Sequence, residues 1–234
     1  MNRIMSKFFG FILASAAVLF SGSAHAGYAV QIYQDNVLFA TVSGASQTVL
    51  SISGNYGTDF DLSGLILKST ATGVIASLSA SGSIVFEGVA THTLKLIVSD
   101  DNVPTPLGGS YKLGSVSSYS VSDAIAGDTY KFQSFAGVGG TLYDMSLASS
   151  PGHTFAVTTS GNFTEALTAF SATPAYTLTQ VIEYTASPGG LDFNLTGNTT
   201  AKASAVPEPG SMALLGMGIA GMVGMVRRRR RVVA

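Results

Sequence analysis

Ala175-Tyr-Thr-Leu-Thr-Gln-Val-Ile-Glu-Tyr-Thr185 is the stretch whose pattern decides the fold. In an extended strand, successive side chains point to opposite faces. Tyr176, Leu178, Ile182 and Tyr184 then share one face, and Thr177, Thr179, Glu183 and Thr185 share the other, with Val181 the apolar exception. The run is rich in β-branched and aromatic residues, so it predicts a strand that is buried on one side.

The same alternation recurs toward both ends of the chain. Tyr28 to Gln34 places Tyr28, Val30 and Ile32 on one face, and His92 to Val98 does the same with Leu94, Leu96 and Val98. Further strands are expected at 37–43, 47–53, 63–69, 73–79, 83–87, 111–121, 129–136, 153–159 and 191–198. Ser146 to Ala148 and Phe163 to Phe170 come nearest to a helical period, and both are short. Closely spaced strands with alternating faces predict an all-β domain, an antiparallel, jelly-roll-like β-sandwich. A closed barrel is the alternative, and no fixed repeat supports a β-helix. Asp100-Asp-Asn-Val-Pro-Thr-Pro-Leu-Gly-Gly109 is the strongest loop signal and a point at which two subdomains could divide.

The two ends are of a different kind. Arg3 and Lys7 form a basic start, Phe8 to Phe20 an apolar segment and Ala24-His25-Ala26 a small-x-small site, so residues 1–26 are expected to be a signal helix. Cleavage between Ala26 and Gly27 makes Gly27 the expected first mature residue. At the other end Pro207 and Pro209 force extended backbone around Glu208. Residues 211–226 follow without a charge, then Arg227, Arg228, Arg229, Arg230 and Arg231. A helix over 211–226 would reach roughly 24 Å, against a hydrocarbon core of about 30 Å. It is expected to be a single, short membrane span, oriented by the cytoplasmic arginines. Gly216, Ala220 and Gly224 would line one face of that helix, a spacing that permits close helix–helix approach. The domain expected between the two ends is 27–205.

The order of Pro-Glu-Pro motif, apolar segment and arginine cluster over 206–234 resembles the PEP-CTERM sorting signal of exported proteins in Gram-negative bacteria. That resemblance implies an exosortase, an intramembrane cysteine transpeptidase, as the partner that processes the tail. Pro207, Glu208 and Pro209 would be the recognition motif, helix 211–226 its positioner and Arg227 to Arg231 its orientation signal. It implies export through the Sec route, a transient stay in the inner membrane, and delivery to the cell surface or the extracellular matrix of a biofilm. Ala175 to Asn198 is also similar to the closing strands of secreted proteins with this tail.

Charge and composition limit what the domain can do. Between residues 27 and 205 there are five lysines (Lys68, Lys95, Lys112, Lys131 and Lys202), no arginine and twelve acids, a net charge of −7. Nucleic acid is not an expected partner, because binding it requires cations that neutralise phosphates. The chain has no cysteine, so neither disulfides nor thiolate chemistry are available, and no tryptophan to serve as a sugar-stacking platform.

Candidate chemistry is sparse. His92 and His153 stand 61 residues apart without a neighbour at ligand spacing, and no G-x-S-x-G elbow is present. No catalytic residue is identified and the protein is not expected to be an enzyme. Asp59-Phe-Asp61 and Asp100-Asp101-Asn102 concentrate oxygen ligands, the latter a weak candidate metal site for calcium, with no other cofactor expected. Thr91-His-Thr93 and Thr177-Leu-Thr179 are isolated, so no regular threonine ladder is expected along the chain. The expected role is non-enzymatic and structural, adhesive or binding, with extracellular polysaccharide as a candidate partner. The alternatives are a carbohydrate-binding module and an enzyme acting on extracellular polysaccharide.

Overall fold

The structure is a computed structural model that describes residues 27–45, 49–72, 75–103, 110–122, 125–157, 160–164, 167–172, 176–189 and 191–204, together with Met217. The expected signal helix, the membrane helix 211–226 apart from Met217, and the expected domain end at 205 lie outside the described residues. Among the described residues no helix is long and apolar enough to cross a membrane.

The described chain is all-β. Its strands are β1 Gly27–Gln34, β2 Val37–Ala45, β3 Val49–Tyr56, β4 Phe60–Thr72, β5 Ile75–Phe86, β6 His92–Val103 and β7 Ser110–Val121. They continue with β8 Thr129–Val138, β9 Ala148–Ser149, β10 His153–Ala156, β11 Ser160–Thr164, β12 Thr168–Ser171, β13 Tyr176–Ala186 and β14 Leu191–Ala203. The first sheet runs β10-β8-β13-β6-β1-β2, with β9 on β8, and the second runs β11-β7-β14-β5-β4-β3, with β12 on β7. Every pairing is antiparallel.

The connectivity follows from those pairings. The sets β5-β14-β7-β11 and β6-β13-β8-β10 are the two four-stranded halves of a double Greek key, the jelly-roll order. Strands β1 and β2 extend one half, and β4 and β3 extend the other. The turn from β1 to β2 is a two-residue hairpin in which Asp35 and Asn36 both take positive φ, 50° and 66°. Asp and Asn tolerate that conformation well, and it matches the twist of the flanking strands.

The inner faces meet in one core. Its largest fully buried members are Tyr28, Tyr111, Tyr130, Tyr176, Tyr184, Phe60, Phe86, Phe132 and Phe193. Tyr184 of β13 stacks on Phe193 of β14 with centroids 4.2 Å apart, and Phe60 meets Phe86 at 4.9 Å. Buried hydroxyls tie the layers together as well. Ser134 Oγ of β8 lies 2.8 Å from Ser115 Oγ of β7 and 2.5 Å from Thr199 Oγ1 of β14. Gln180 of β13 donates across the sandwich to the carbonyl of Leu78 on β5. Partners of this kind offset the cost of burying a hydroxyl, whereas the Tyr28, Tyr176 and Tyr184 hydroxyls are buried without a hydrogen-bond partner among the described residues.

Several expectations are corrected. The loop expected from Asp100 begins later, because β6 runs to Val103, and β6 and β7 lie in opposite sheets of one sandwich rather than in two subdomains. Expected strands 73–79 and 83–87 are one continuous strand, β5. The short helical candidate Phe163–Phe170 contains strand residues of β11 and β12, paired with β7. The threonine face of β13 is not solvated throughout. The segment 139–147 lies over it, with Thr177 Oγ1 donating to the carbonyls of Val138 and Thr141 and Tyr143 N–H donating to Ser99 Oγ at 2.9 Å.

Gly197 marks a close approach of the layers, since a Cβ there would sit 2.4 Å from Phe132 Cε2. Gly197→Ala is expected to lower the urea-unfolding free energy by about 1–3 kcal/mol through overpacking. Adding Phe132→Leu should recover part of the loss, whereas two strictly additive losses would contradict the contact.

Candidate functional site

The residues expected to carry sorting divide between described and undescribed parts of the chain. Ala24 and Ala26, Pro207, Glu208 and Pro209, and Arg227 to Arg231 lie outside the described residues. Gly27 opens β1 and Ser204 closes the described domain, donating its N–H to Ser110 O at 2.9 Å. The Pro-Glu-Pro motif therefore follows within a few residues of a strand at the centre of the second sheet.

Asp100 and Asp101 are strand residues, not loop residues. Between Asp100 and Val103 strand β6 bulges against β13, since Leu178 pairs with Asp100 and Tyr176 with Val103. Asp100 is buried and accepts a hydrogen bond from Ser69 Oγ. Asp101, 6 % exposed, accepts from the Gly27 N–H at 2.6 Å. Burial first, and the nearby Asp100 charge further, push the Asp101 carboxyl up, against the pull of the Gly27 N–H. Asn102 lies in the strand, but its side chain is outside the described residues. Among the described residues no group of three histidine, aspartate or glutamate side chains gathers as metal ligands.

The two histidines sit in different surroundings. His92 joins three chain segments at one end of the sandwich. Its Nδ1 is 2.6 Å from Asp35 Oδ2 in the β1–β2 turn, and its Nε2 is 3.5 Å from Asp59 Oδ2 in the β3–β4 turn. Asp59 Oδ2 also accepts from Gln34 Nε2 at 2.7 Å and from Thr58 Oγ1. The Thr58 hydroxyl is thereby committed to a carboxylate and not to the imidazole, so the cluster has the form of a polar staple between the layers. His153 opens β10 and stacks on Phe163 of β11 at 3.9 Å, with Phe155 alongside. This aromatic seam joins the two edge strands where one sheet passes into the other.

The outward face of the second sheet is rich in hydroxyl and amide side chains. Register places Ser160, Ser120, Asn194, Ser83 and Ser63 in one row across β11, β7, β14, β5 and β4. The next row is Asn162, Ser118, Thr196, Ser81 and Ile66, and the one after is Thr164, Val116, Asn198, Ser79 and Lys68. Thr200, Ser77 and Thr70 continue it. Neighbouring strands lie about 4.8 Å apart, and same-face residues about 6.8 Å apart along each strand. The result is a lattice dominated by hydroxyl and amide groups, interrupted by Ile66, Val116 and Lys68, with Asp61 and Asp192 in the row before it and Lys112 and Lys202 in the row after it. Ser118, Ser120, Asn194 and Thr196 are exposed and line a shallow depression at its centre. Ser77 Oγ donates to Asn198 Oδ1 at 2.8 Å, one cross-strand pair within it.

Comparison with known proteins bears on the tail. The family model of the PEP-CTERM protein-sorting motif matches residues 205–231. The chain ends in a PEP-CTERM sorting motif, which marks an exported protein sorted through a membrane-anchored C-terminal tail with an exosortase as the processing enzyme. No curated protein matches the sequence. Among solved structures, one of the infectious bursal disease virus Gx strain is similar at 10 % identity and TM-score 0.35, over 82 % of this chain and 55 % of the viral one. Dimeric latent PorU from Porphyromonas gingivalis is similar at 13 % identity and TM-score 0.25, over 78 % of this chain and 14 % of PorU. The chain thus spans about half of the first of these proteins and a small part of the second.

The polar staple makes a pH prediction. Partial burial alone would raise the Asp35 carboxyl, but the Thr93 N–H at 2.8 Å and His92 together hold it below its ordinary value. A carboxyl lowered by folding contributes stability above its unfolded value and loses it as pH falls through the folded one. Asp35→Ala is expected to cost about 0.5–1.5 kcal/mol at neutral pH. That difference should shrink below about pH 4, near the ordinary aspartate value. Parallel denaturation curves at several pH values check this, and a difference independent of pH would contradict the staple.

Proposed function

We propose that this is a non-enzymatic exported protein of the cell surface or extracellular matrix whose jelly-roll domain binds neutral polysaccharide. The observation that carries this reading is the hydroxyl- and amide-rich lattice on the outward face of the second sheet, in which Lys68 is the one charged member of the rows given. Sugar hydroxyls are both donors and acceptors, and serine, threonine and asparagine side chains supply both as well. Each exposed neutral hydrogen bond contributes little on its own, about 0.5–1.5 kcal/mol at best. Repeated rows facing a repeated polymer compensate through multivalency, so weak contacts sum on a chain or fibre. The domain's charge of −7 disfavours anionic polymers in the absence of bridging cations.

The proposed order of events starts with removal of residues 1–26 during export. The helix 211–226 then holds the precursor in the inner membrane, with Arg227 to Arg231 in the cytoplasm, until the exosortase acts near Pro207–Pro209. The released domain joins the matrix.

Two measurements test the reading. Retention on insoluble neutral polysaccharide should fall at least tenfold in Thr196→Glu, at the centre of the lattice. It should be unchanged in Thr154→Glu, on the outward side of β10 in the other sheet. Equal retention of both variants would remove the lattice from the account. Intact-mass analysis in a strain carrying the exosortase should show the arginine tail lost from the surface or secreted protein and kept in Glu208→Ala. A wild-type surface protein that retains its five arginines would overturn the transient anchor.

A further inference from the structure

We infer that the Asp101 carboxylate is a built receptor for the chain's own α-ammonium, formed when the precursor is cut between Ala26 and Gly27. The inference rests on the export reading and on Ala24-His25-Ala26 as the cleavage site. Gly27 N lies 2.6 Å from Asp101 Oδ1, a contact between residues 74 apart in sequence. Asp101 is 6 % exposed, and its backbone carbonyl is held by Gly140 N–H at 2.8 Å.

In the precursor this nitrogen is a neutral amide. Signal-peptide hydrolysis adds water across the Ala26–Gly27 bond, leaving a carboxylate on Ala26 and an amine on Gly27, which takes up the released proton. The donor at 2.6 Å then becomes a cation facing a carboxylate, and such charge-assisted bonds are roughly twice as strong as neutral ones. A nearly buried carboxylate with no ion pair among the described residues acquires a counter-charge. Among the described residues the titratable groups beside the pair are Asp100 on β6 and Tyr28 on β1, while β2 places Ala45 opposite Gly27. Burial holds the Tyr28 hydroxyl well above its ordinary range, so it stays neutral as the amine titrates. Removal of the signal thus clamps the first residue of β1 onto β6, and the domain becomes more stable on maturation than as a precursor.

The test uses the full chain exported in a host with a signal peptidase. Mass analysis of the N-terminal peptide first establishes the mature start. A start other than Gly27 overturns the cleavage reading and this inference with it. With Gly27 first, the pH dependence of α-amine reductive methylation is followed by mass spectrometry. Its midpoint should lie about one pH unit or more above the ordinary α-amino value of about 7.7–8.0. It should return to the ordinary value in Asp101→Asn, and also in a variant with Gly-Ser inserted between Ala26 and Gly27, which leaves Asp101 intact. An amine raised by folding contributes stability below its unfolded value and loses it as pH rises through the folded one. The melting advantage of wild type over the insertion variant should therefore fade at alkaline pH. An ordinary midpoint in the wild-type protein that starts at Gly27, or a raised midpoint unchanged in a folded Asp101→Asn, overturns the receptor and leaves the cleavage site standing.

Discussion

The structure depends on its two last strands in the chain taking central places in the two sheets. β13 is hydrogen-bonded on both edges, to β6 and β8, and β14 likewise, to β5 and β7. Neither sheet is continuous until residues 176–203 are in place. The inner faces of these two strands also meet through the Tyr184–Phe193 stack, so sheet closure and layer packing are one event. Pairings at long sequence separation require large loop closure before they are rewarded, which makes such topologies slow to form. The chain has no cysteine to offset this, and the aromatic core with its hydroxyl bridges supplies the cohesion instead. The sorting motif follows directly on β14, so the strand that completes the domain is also the one tied to the tail.

How much of this was legible depends on whether the signal was local. β1, β6, β7 and β13 are visible in the chain because alternation is a property of neighbouring residues. β11 and β12 are not, since Ser160-Gly161-Asn162-Phe163-Thr164 and Thr168-Ala169-Phe170-Ser171 are short edge segments with little apolar content. Their strand character comes from the β7 edge they pair with. Asp100 and Asp101 carry the residue types of a turn, yet they extend β6 because Ser69 and Gly27 satisfy their carboxylates from other strands. No inspection of residues 92–109 could reveal those partners.

The candidate sites divide along the same line. The Pro-Glu-Pro tail is legible because recognition of an extended motif, an apolar segment and a charge cluster needs only their order. Along the chain, Thr-x-Thr pairs are isolated and show no ladder. The lattice exists across strands, where Ser120, Asn194 and Ser83 become neighbours although they are far apart in sequence. The His92 staple likewise draws on Asp35 and Asp59 from separate turns.

The amino-acid sequence by itself determined the strand-rich character, the acidic cysteine-free domain and the sorting tail, because each follows from composition or from contacts within a few residues. Only the tertiary structure decided the jelly-roll order, the hydroxyl face, and the placing of Gly27 against Asp101. Those are consequences of register, and register is set by which distant strand buries which face. A shift of one residue would turn the hydroxyl face inward and the aromatic face outward, and the cost of burying unpaired hydroxyls forbids it.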